Sequence, residues 1–142
     1  MIRPALLGAA IAAFGITHAG AAIRISHDKG GQIGPYIEAF ASLRSSGERV
    51  IIDGACLSAC TMVLGIVPSD RICVTPRAKL GFHAAWLPNA DGRPVTNPTG
   101  TKVLWDIYPS HVRNWLTRKG GLSRKMVFLS GRELASMYPA CQ

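Results

Sequence analysis

The residues best suited to chemistry in this chain are a serine in "GACLSACT", residues 54 to 61, and a histidine 25 positions beyond it. Ser58 follows a β-branched run and begins an apolar segment, so it would stand where a strand turns into a helix. A hydroxyl there can attack a carbonyl carbon if an imidazole removes its proton, and His83 is the histidine suited to that role. The pair predicts nucleophilic catalysis; the structural alternative is a serine N-cap and a packed strand histidine.

A nucleophilic serine also needs backbone N–H groups that stabilise the oxyanion formed on the attacked carbonyl. The N–H of Ala59 is one candidate, because N–H groups in the first turn of a helix have no acceptor within that helix. The Gly30–Gly31 turn, which follows the first predicted strand, is expected to supply another. The predicted oxyanion site therefore comprises Gly30, Gly31 and Ala59.

The four cysteines, Cys56, Cys60, Cys73 and Cys141, offer different chemistry. An even number in an exported chain favours disulfides, and four cysteines allow three pairings. Cys56 and Cys60 could share a helix face, which rarely suits a mutual bridge, so each is expected to pair with Cys73 or Cys141. The alternative is a zinc site of Cys56, Cys60, Cys73 and His83, but C-x3-C is not the usual zinc spacing and an oxidising compartment competes for thiolates. No metal ion is predicted.

The N-terminus predicts export. Arg3 precedes an apolar, uncharged run over residues 4–16, and Ala19 and Ala21 fit an A-x-A cleavage site. We expect a signal peptide over residues 1–22 and a single domain over 23–142, located in the periplasm or secreted. The alternative is an uncleaved membrane anchor. A helix that spans a bilayer needs about 20 apolar residues, and this apolar run is shorter.

Charge and motifs narrow the function classes. The formal net charge is +8, but the basic residues are spread along the chain rather than gathered in an arm or interleaved with aromatics. In an exported chain this pattern excludes a nucleic-acid partner and predicts at most a weak attraction to anionic envelope surfaces. The chain also has no phosphate loop, dinucleotide fingerprint or redox C-x-x-C, so no cofactor is implied.

The elements that must position Ser58 and His83 alternate between strands and helices. Predicted strands cover residues 22–26, 49–53, 71–75 and 79–86; predicted helices lie within 32–47 and cover 58–66, 101–108 and 110–118. Residues 87–101 have the composition of a loop. An S-x-x-E capping box at Ser130 and Glu133 opens a last short helix. The alternation predicts an α/β class with a mainly parallel sheet.

Over roughly residues 23 to 139 these motifs resemble, in order, the Clp protease/crotonase fold group, and within it the small exported Clp-like proteins. "ISHDKGGQIGPYIEAFASLRSSG" is similar to that group's strand, oxyanion Gly-Gly turn and helix. "GACLSACTMVLG" resembles the nucleophile segment, which implies that role for Ser58, and "AKLGFHAAW" resembles the strand of the catalytic histidine, which implies His83. "FLSGRELASMYP" resembles the late strand and capped helix.

The resemblance implies a ClpP/crotonase-like α/β fold, with a mainly parallel sheet and flanking helices, shortened at its N-terminus. The sequence departs from the family pattern in three ways. The segment ahead of "FLS" has Leu122 and Ser123 where a Clp protease carries an aspartate, so Asp106 or Asp91 would have to act as the third acid. Few mature residues precede Ser58, so the first strand-rich unit is missing and a sheet edge is left for a partner. Two cysteines flank the serine.

Two functions therefore stand. The Ser58–His83 pair favours a serine hydrolase, such as a peptidase, acting on a peptide or on a small ester or amide. The missing acid favours a non-catalytic Clp-like domain that binds a peptide or envelope partner, as a homo-oligomer.

Overall fold

The computed structural model describes residues 20–142. Residues 1–19 of the predicted signal peptide lie outside the described residues. Strands are β1 (Ala22–Asp28), β2 (Arg49–Leu57), β3 (Ile72–Val74), β4 (Lys79–Phe82), β5 (Trp86–Pro88), β6 (Pro94–Thr96) and β7 (Val127–Ser130). Helices are α1 (Ile33–Ser46), α2 (Val63–Ile66), α3 (Pro98–Ile107), α4 (Ser110–Arg118) and α5 (Gly131–Ala135), with 3-10 turns at Ser58–Met62 and Ser69–Arg71. No helix within residues 20–142 is long and apolar enough to cross a membrane.

The main sheet is built around β2. β1 pairs with β2 in parallel along one edge, while β3 and then β4 pair in parallel with successive parts of its other edge. β7 lies beyond β4 and runs antiparallel to it. The prediction of an α/β class with a mainly parallel sheet is therefore confirmed. In such a sheet the segments that leave β2 and β4 emerge at the same edge, which is where Ser58 and His83 lie.

Helix α1 forms where the apolar periodicity predicts it. Phe40 and Leu43 are buried against the sheet, and Ile33, Tyr36 and Ile37 pack beside them. The helix ends at Gly47, whose φ of 78° is the left-handed conformation that glycine adopts most easily at a helix C-terminus. This helix packs against α2 and against the 3-10 turn that begins at Ser58.

An aromatic cluster fixes the end of β4. The Phe82 ring lies edge-on to the Tyr108 ring, with 5.2 Å between the ring centroids. The centroid of the Trp115 ring lies 5.6 Å from that of Phe82. All three rings are buried, and such pairs contribute about 0.5–1.5 kcal/mol beyond the burial of their area. The cluster packs α3 and α4 against the residue that precedes His83.

The predicted strand over 79–86 and loop over 87–101 were both wrong in part. The strand stops at Phe82, and the predicted loop contains the β5–β6 hairpin and the first turn of α3. Asn89 closes the hairpin, because its Oδ1 accepts the N–H groups of Asp91 and Arg93 at 3.0 and 2.9 Å. This turn chemistry explains why a stretch rich in Pro, Gly and Asn forms two short strands.

The predicted capping box does not form at the start of α5. Ser130 is the N-cap residue, but its side chain makes no capping hydrogen bond. Glu133 instead pairs with Lys119, at 3.2 Å. The long-range ion pair has replaced the local contact that the spacing predicts.

The cysteines form two disulfides, Cys56–Cys60 and Cys73–Cys141. The expected pairing was wrong, because Cys56 lies in β2 and Cys60 in the 3-10 turn, so the chain reverses between them and brings their Cα atoms to 5.3 Å. With all four sulfurs in disulfides, the alternative zinc site has no thiolate ligand. Two disulfides are compatible with an exported protein.

Candidate functional site

Ser58 stands at the sharp turn between β2 and the 3-10 segment. Its φ of 55° makes it the only residue other than glycine with a positive φ in residues 20–142. That conformation costs about 1–3 kcal/mol and persists only where surrounding contacts hold it, which is a common feature of functional sites. A serine on a strained strand-to-helix turn presents its hydroxyl at the end of the sheet.

A buried hydrogen-bond chain holds the backbone of this turn. Thr61 Oγ1 donates to the Ser58 carbonyl oxygen at 2.6 Å and lies 2.6 Å from the Tyr108 hydroxyl. Because Thr61 has a single hydroxyl proton and gives it to Ser58, Tyr108 must donate to Thr61. Burial raises the pKa of Tyr108 to about 12, so this donor keeps its proton at neutral pH.

The Gly30 turn packs directly against the Ser58 turn. Gly30 has a φ of 81°, and a Cβ placed on it would lie 2.5 Å from the Leu57 carbonyl oxygen and 2.7 Å from Ser58 Cβ. The same Cβ would lie 3.1 Å from the Ala59 nitrogen. The structure thus brings Gly30, Ser58 and Ala59 together, and only a residue without a side chain fits at this contact.

Asp28 organises the glycine turn, and the sequence analysis did not identify it. Its Oδ1 accepts the Gly30 N–H at 2.8 Å and the Tyr36 hydroxyl at 2.5 Å. Burial, with the hydrogen bond and negative charge of Asp28, raises the pKa of Tyr36 to about 12. The signal was present in the sequence, since Asp two residues before Gly is typical of a turn closed by an aspartate side chain.

The hydrogen bond to Asp28 affects the predicted oxyanion donors. The Gly30 N–H is committed to a carboxylate, so Gly30 serves as the close contact rather than as a donor in this conformation. Ala59 is the second residue of the 3-10 turn, where an N–H has no acceptor within the turn itself. Of the three predicted donors, Ala59 therefore has its nitrogen at the contact between Gly30 and Ser58, whereas the position of Gly31 next to Tyr36 shows no such contact.

His83 leaves β4 beside the point where Ser58 leaves β2. Leu57 and Gly81 are register partners on these neighbouring parallel strands, so Ser58 and His83 follow that pair by one and two residues. No hydrogen bond joins the two side chains among the described residues. Catalytic hydrogen bonds are often long in unliganded enzymes and tighten when substrate binds, so the placement is compatible with an acid–base pair.

A backbone carbonyl orients the imidazole. His83 Nδ1 lies 2.6 Å from the Ala84 carbonyl oxygen, which can only accept, so Nδ1 carries a proton and the neutral ring has its lone pair on Nε2. The Ala84 N–H donates to the Ser123 carbonyl at 2.7 Å, which fixes the segment. Neither proposed third acid makes a hydrogen bond to His83: Asp106 pairs with Lys102, and Asp91 lies in the turn after β5.

The imidazole faces a cavity of about 340 Å³. Its other lining residues come from the link after β4, the β5–β6 hairpin and the loop before β7: Ala84, Trp86, Pro94, Thr96, Arg124 and Met126. Ser58 does not line this cavity. Of the proposed pair, only His83 therefore lines this cavity.

A second polar cluster lies elsewhere on β2. The buried Asp53 accepts from Arg24 at 2.6 Å, and from Thr75 and Arg77 at 2.7 Å each. These hydrogen bonds, that from Arg77 foremost, hold the pKa of the Asp53 carboxyl well below its usual range. The cluster connects β1, β2 and the segment after β3, and neither Ser58 nor His83 takes part in it.

Comparison with known proteins assigns no function to the site. The chain matches no protein-family model and no curated protein. The function must therefore be inferred from the strained serine, its neighbouring histidine and the backbone around them.

Proposed function

We propose that this protein is an exported serine hydrolase of the Clp protease/crotonase type, with Ser58 as nucleophile and His83 as general base. The observation that carries the proposal is the strained Ser58 turn, whose hydroxyl stands at the same sheet edge as a histidine with an available Nε2. The substrate is a peptide or a small ester or amide.

The reaction follows from these positions. His83 Nε2 removes the Ser58 hydroxyl proton as Oγ attacks the carbonyl carbon, and the N–H groups of Ala59 and Gly31 stabilise the oxyanion. The imidazolium then gives its proton to the leaving amine or alcohol, and an acyl-serine remains. Water, deprotonated by the same Nε2, attacks the acyl carbon; the imidazolium then returns this proton to Ser58 Oγ as the acyl–oxygen bond breaks and the acid product is released.

The Ala84 carbonyl takes the place of the third acid. It sets the tautomer of His83, as an aspartate does in a triad, but it carries no full negative charge. It therefore stabilises the imidazolium less than a carboxylate would. We expect slow turnover, with the first acyl transfer detectable before steady hydrolysis.

Labelling with an alkyl fluorophosphonate tests the nucleophile. We expect the wild-type protein to be labelled at Ser58 and Ser58→Ala to remain unlabelled. His83→Gln should react roughly 10²–10⁴-fold more slowly, the usual contribution of a general base. Ser69→Ala, at an exposed serine in the other 3-10 turn, is the matched control and should react like wild type. Equal labelling of wild type and Ser58→Ala, or labelling of neither, would contradict the proposal.

The alternative is a non-catalytic Clp-like domain that binds a peptide or envelope partner as a homo-oligomer. It is favoured by the carbonyl, rather than carboxylate, partner of His83 and by the edge strand β1, on which Ile23 is 41% exposed. This function predicts no fluorophosphonate labelling, with partner capture retained in Ser58→Ala. Loss of capture in that variant, with an unchanged circular-dichroism spectrum, would count against it.

A further inference from the structure

A larger cavity lies next to the one that His83 lines. The second cavity has a volume of about 630 Å³, and the two share Ala84, Thr96 and Arg124 as lining residues. These two adjacent cavities lie between the β5–β6 hairpin, the start of α3 and the loop before β7, and together they are here named the hairpin groove. Sites for small ligands commonly have about 300–1,000 Å³, so the hairpin groove has room for a short extended segment of peptide.

Most of the groove is apolar. Trp86 lies at the end near His83 and is 52% exposed, while Trp105 and Leu122 line the far end and are half-buried. Large aromatic side chains left exposed beside a concave surface gain free energy when a ligand covers them. The walls are therefore suited to bulky apolar side chains of a bound peptide.

The charge of the groove is positive. Arg124 lies where the two cavities meet, is exposed, and forms no hydrogen bond or ion pair with its side chain within residues 20–142. Lys102 lies at the far end, but its ammonium is paired with Asp106. No aspartate or glutamate lines either cavity. A guanidinium in this position matches a carboxylate, which it can bind with two parallel hydrogen bonds.

We propose that the hairpin groove binds an extended peptide that has an acidic residue next to a large apolar residue. The acidic side chain pairs with Arg124, and the apolar side chain packs on Trp105 and Leu122. This inference rests on the proposed function and names its substrate class: peptides whose acidic residue lies close to the bond that His83 and Ser58 act on.

Binding can be measured without catalysis, in Ser58→Ala protein. We expect fluorescence anisotropy to show that a dye-labelled Ala-Leu-Glu-Phe-Ala peptide binds about tenfold more tightly than its Gln analogue, as a charge-assisted hydrogen bond predicts. Arg124→Gln should remove this preference. Arg118→Gln, at an exposed arginine in the last turn of α4 and outside the groove, should retain it. Circular dichroism verifies that all variants are folded.

Equal binding of the two peptides would overturn the inference, as would an equal loss of the preference in Arg124→Gln and Arg118→Gln. The two experiments distinguish a failure of this inference from a failure of the proposed function. Fluorophosphonate labelling of Ser58 without a preference for the Glu peptide would refute the groove inference and leave the hydrolase. A Glu preference that depends on Arg124 in a protein that is never labelled would support the groove and refute the hydrolase.

Discussion

At the scale of single residues, the site depends on a serine in a conformation that serine rarely adopts. The φ of 55° at Ser58 is held by the bridge between its flanking cysteines, by Thr61 on its carbonyl and by the close approach of Gly30. The bridge and Thr61 belong to the turn itself, whereas Gly30 comes from a separate part of the chain. The hydroxyl is therefore aimed by its surroundings rather than by its own backbone preference.

Two glycine variants separate backbone strain from contact with Ser58. Gly30 and Gly92 have nearly the same φ, 81° and 75°, but a Cβ at Gly92 meets nothing within 4 Å. Alanine at either position should cost about 1–2 kcal/mol of unfolding free energy through strain. Gly30→Ala should cost roughly 1–3 kcal/mol more through overpacking and should also slow fluorophosphonate labelling. Urea denaturation and labelling rates measure both effects; equal losses in the two variants would exclude the contact.

At the scale of elements, the ends of two neighbouring strands place Ser58 and His83 at the same edge of the sheet. β2 ends at Leu57 and β4 at Phe82, and their parallel register places the following residues at one edge of the sheet. The turn after β2 is closed by Cys56–Cys60, while Cys73–Cys141 joins the middle of β3 to the C-terminal segment, 68 positions away. The two disulfides therefore constrain different parts of the protein. Cys56–Cys60 constrains the turn that contains Ser58, and Cys73–Cys141 constrains the C-terminal segment against the sheet.

Removing each disulfide should separate these two constraints. Loop-closure entropy predicts a loss of about 4 kcal/mol for Cys73→Ala/Cys141→Ala and about 2 kcal/mol for Cys56→Ala/Cys60→Ala. Labelling of Ser58 should follow the opposite order, because the second variant releases the turn that contains Ser58. Urea denaturation and labelling rates, each measured under folded conditions, would show this crossover. If the variant that loses more unfolding free energy also loses more of its labelling rate, the Cys56–Cys60 bridge has no positioning role.

At the scale of the whole molecule, the Asp53 cluster joins two neighbouring strands to the segment between β3 and β4. Arg24 lies on the edge strand β1, Asp53 on the central strand, and Arg77 on the segment between β3 and β4. The hydrogen bonds lower the pKa of the Asp53 carboxyl in the folded state. Its stabilising contribution is therefore complete above the ordinary pKa of 3.8 and is lost as the pH falls through the folded value.

Asp53→Asn tests this linkage. At neutral pH the variant should unfold at a lower urea concentration than wild type, and the difference should shrink as the pH falls below 3.8. Asp70→Asn is the matched control, because Asp70 is exposed and its side chain forms no hydrogen bond or ion pair within residues 20–142. A difference between wild type and Asp53→Asn that does not depend on pH would mean that the carboxylate charge is not what stabilises the cluster.

The sequence by itself determined the features that depend on local patterns. The apolar period of α1 and its stop at Gly47, the strand before Ser58 and the alternation of strands and helices are all confirmed. These features follow from side-chain spacing and from the backbone preferences of Gly and Pro, which act over a few residues. For the same reason the local sequence predicts Ser58 at a strand-to-helix turn.

Only the tertiary structure decided which distant groups meet. The Cys56–Cys60 bridge depends on how sharply the chain turns at Ser58, and the carbonyl partner of His83 depends on the end of β4 at Phe82. The positive φ of Ser58 and the contact with Gly30 likewise arise where two turns pack against each other. Such contacts are selected by the free energy of the whole fold, so no pattern within one segment of the sequence could specify them.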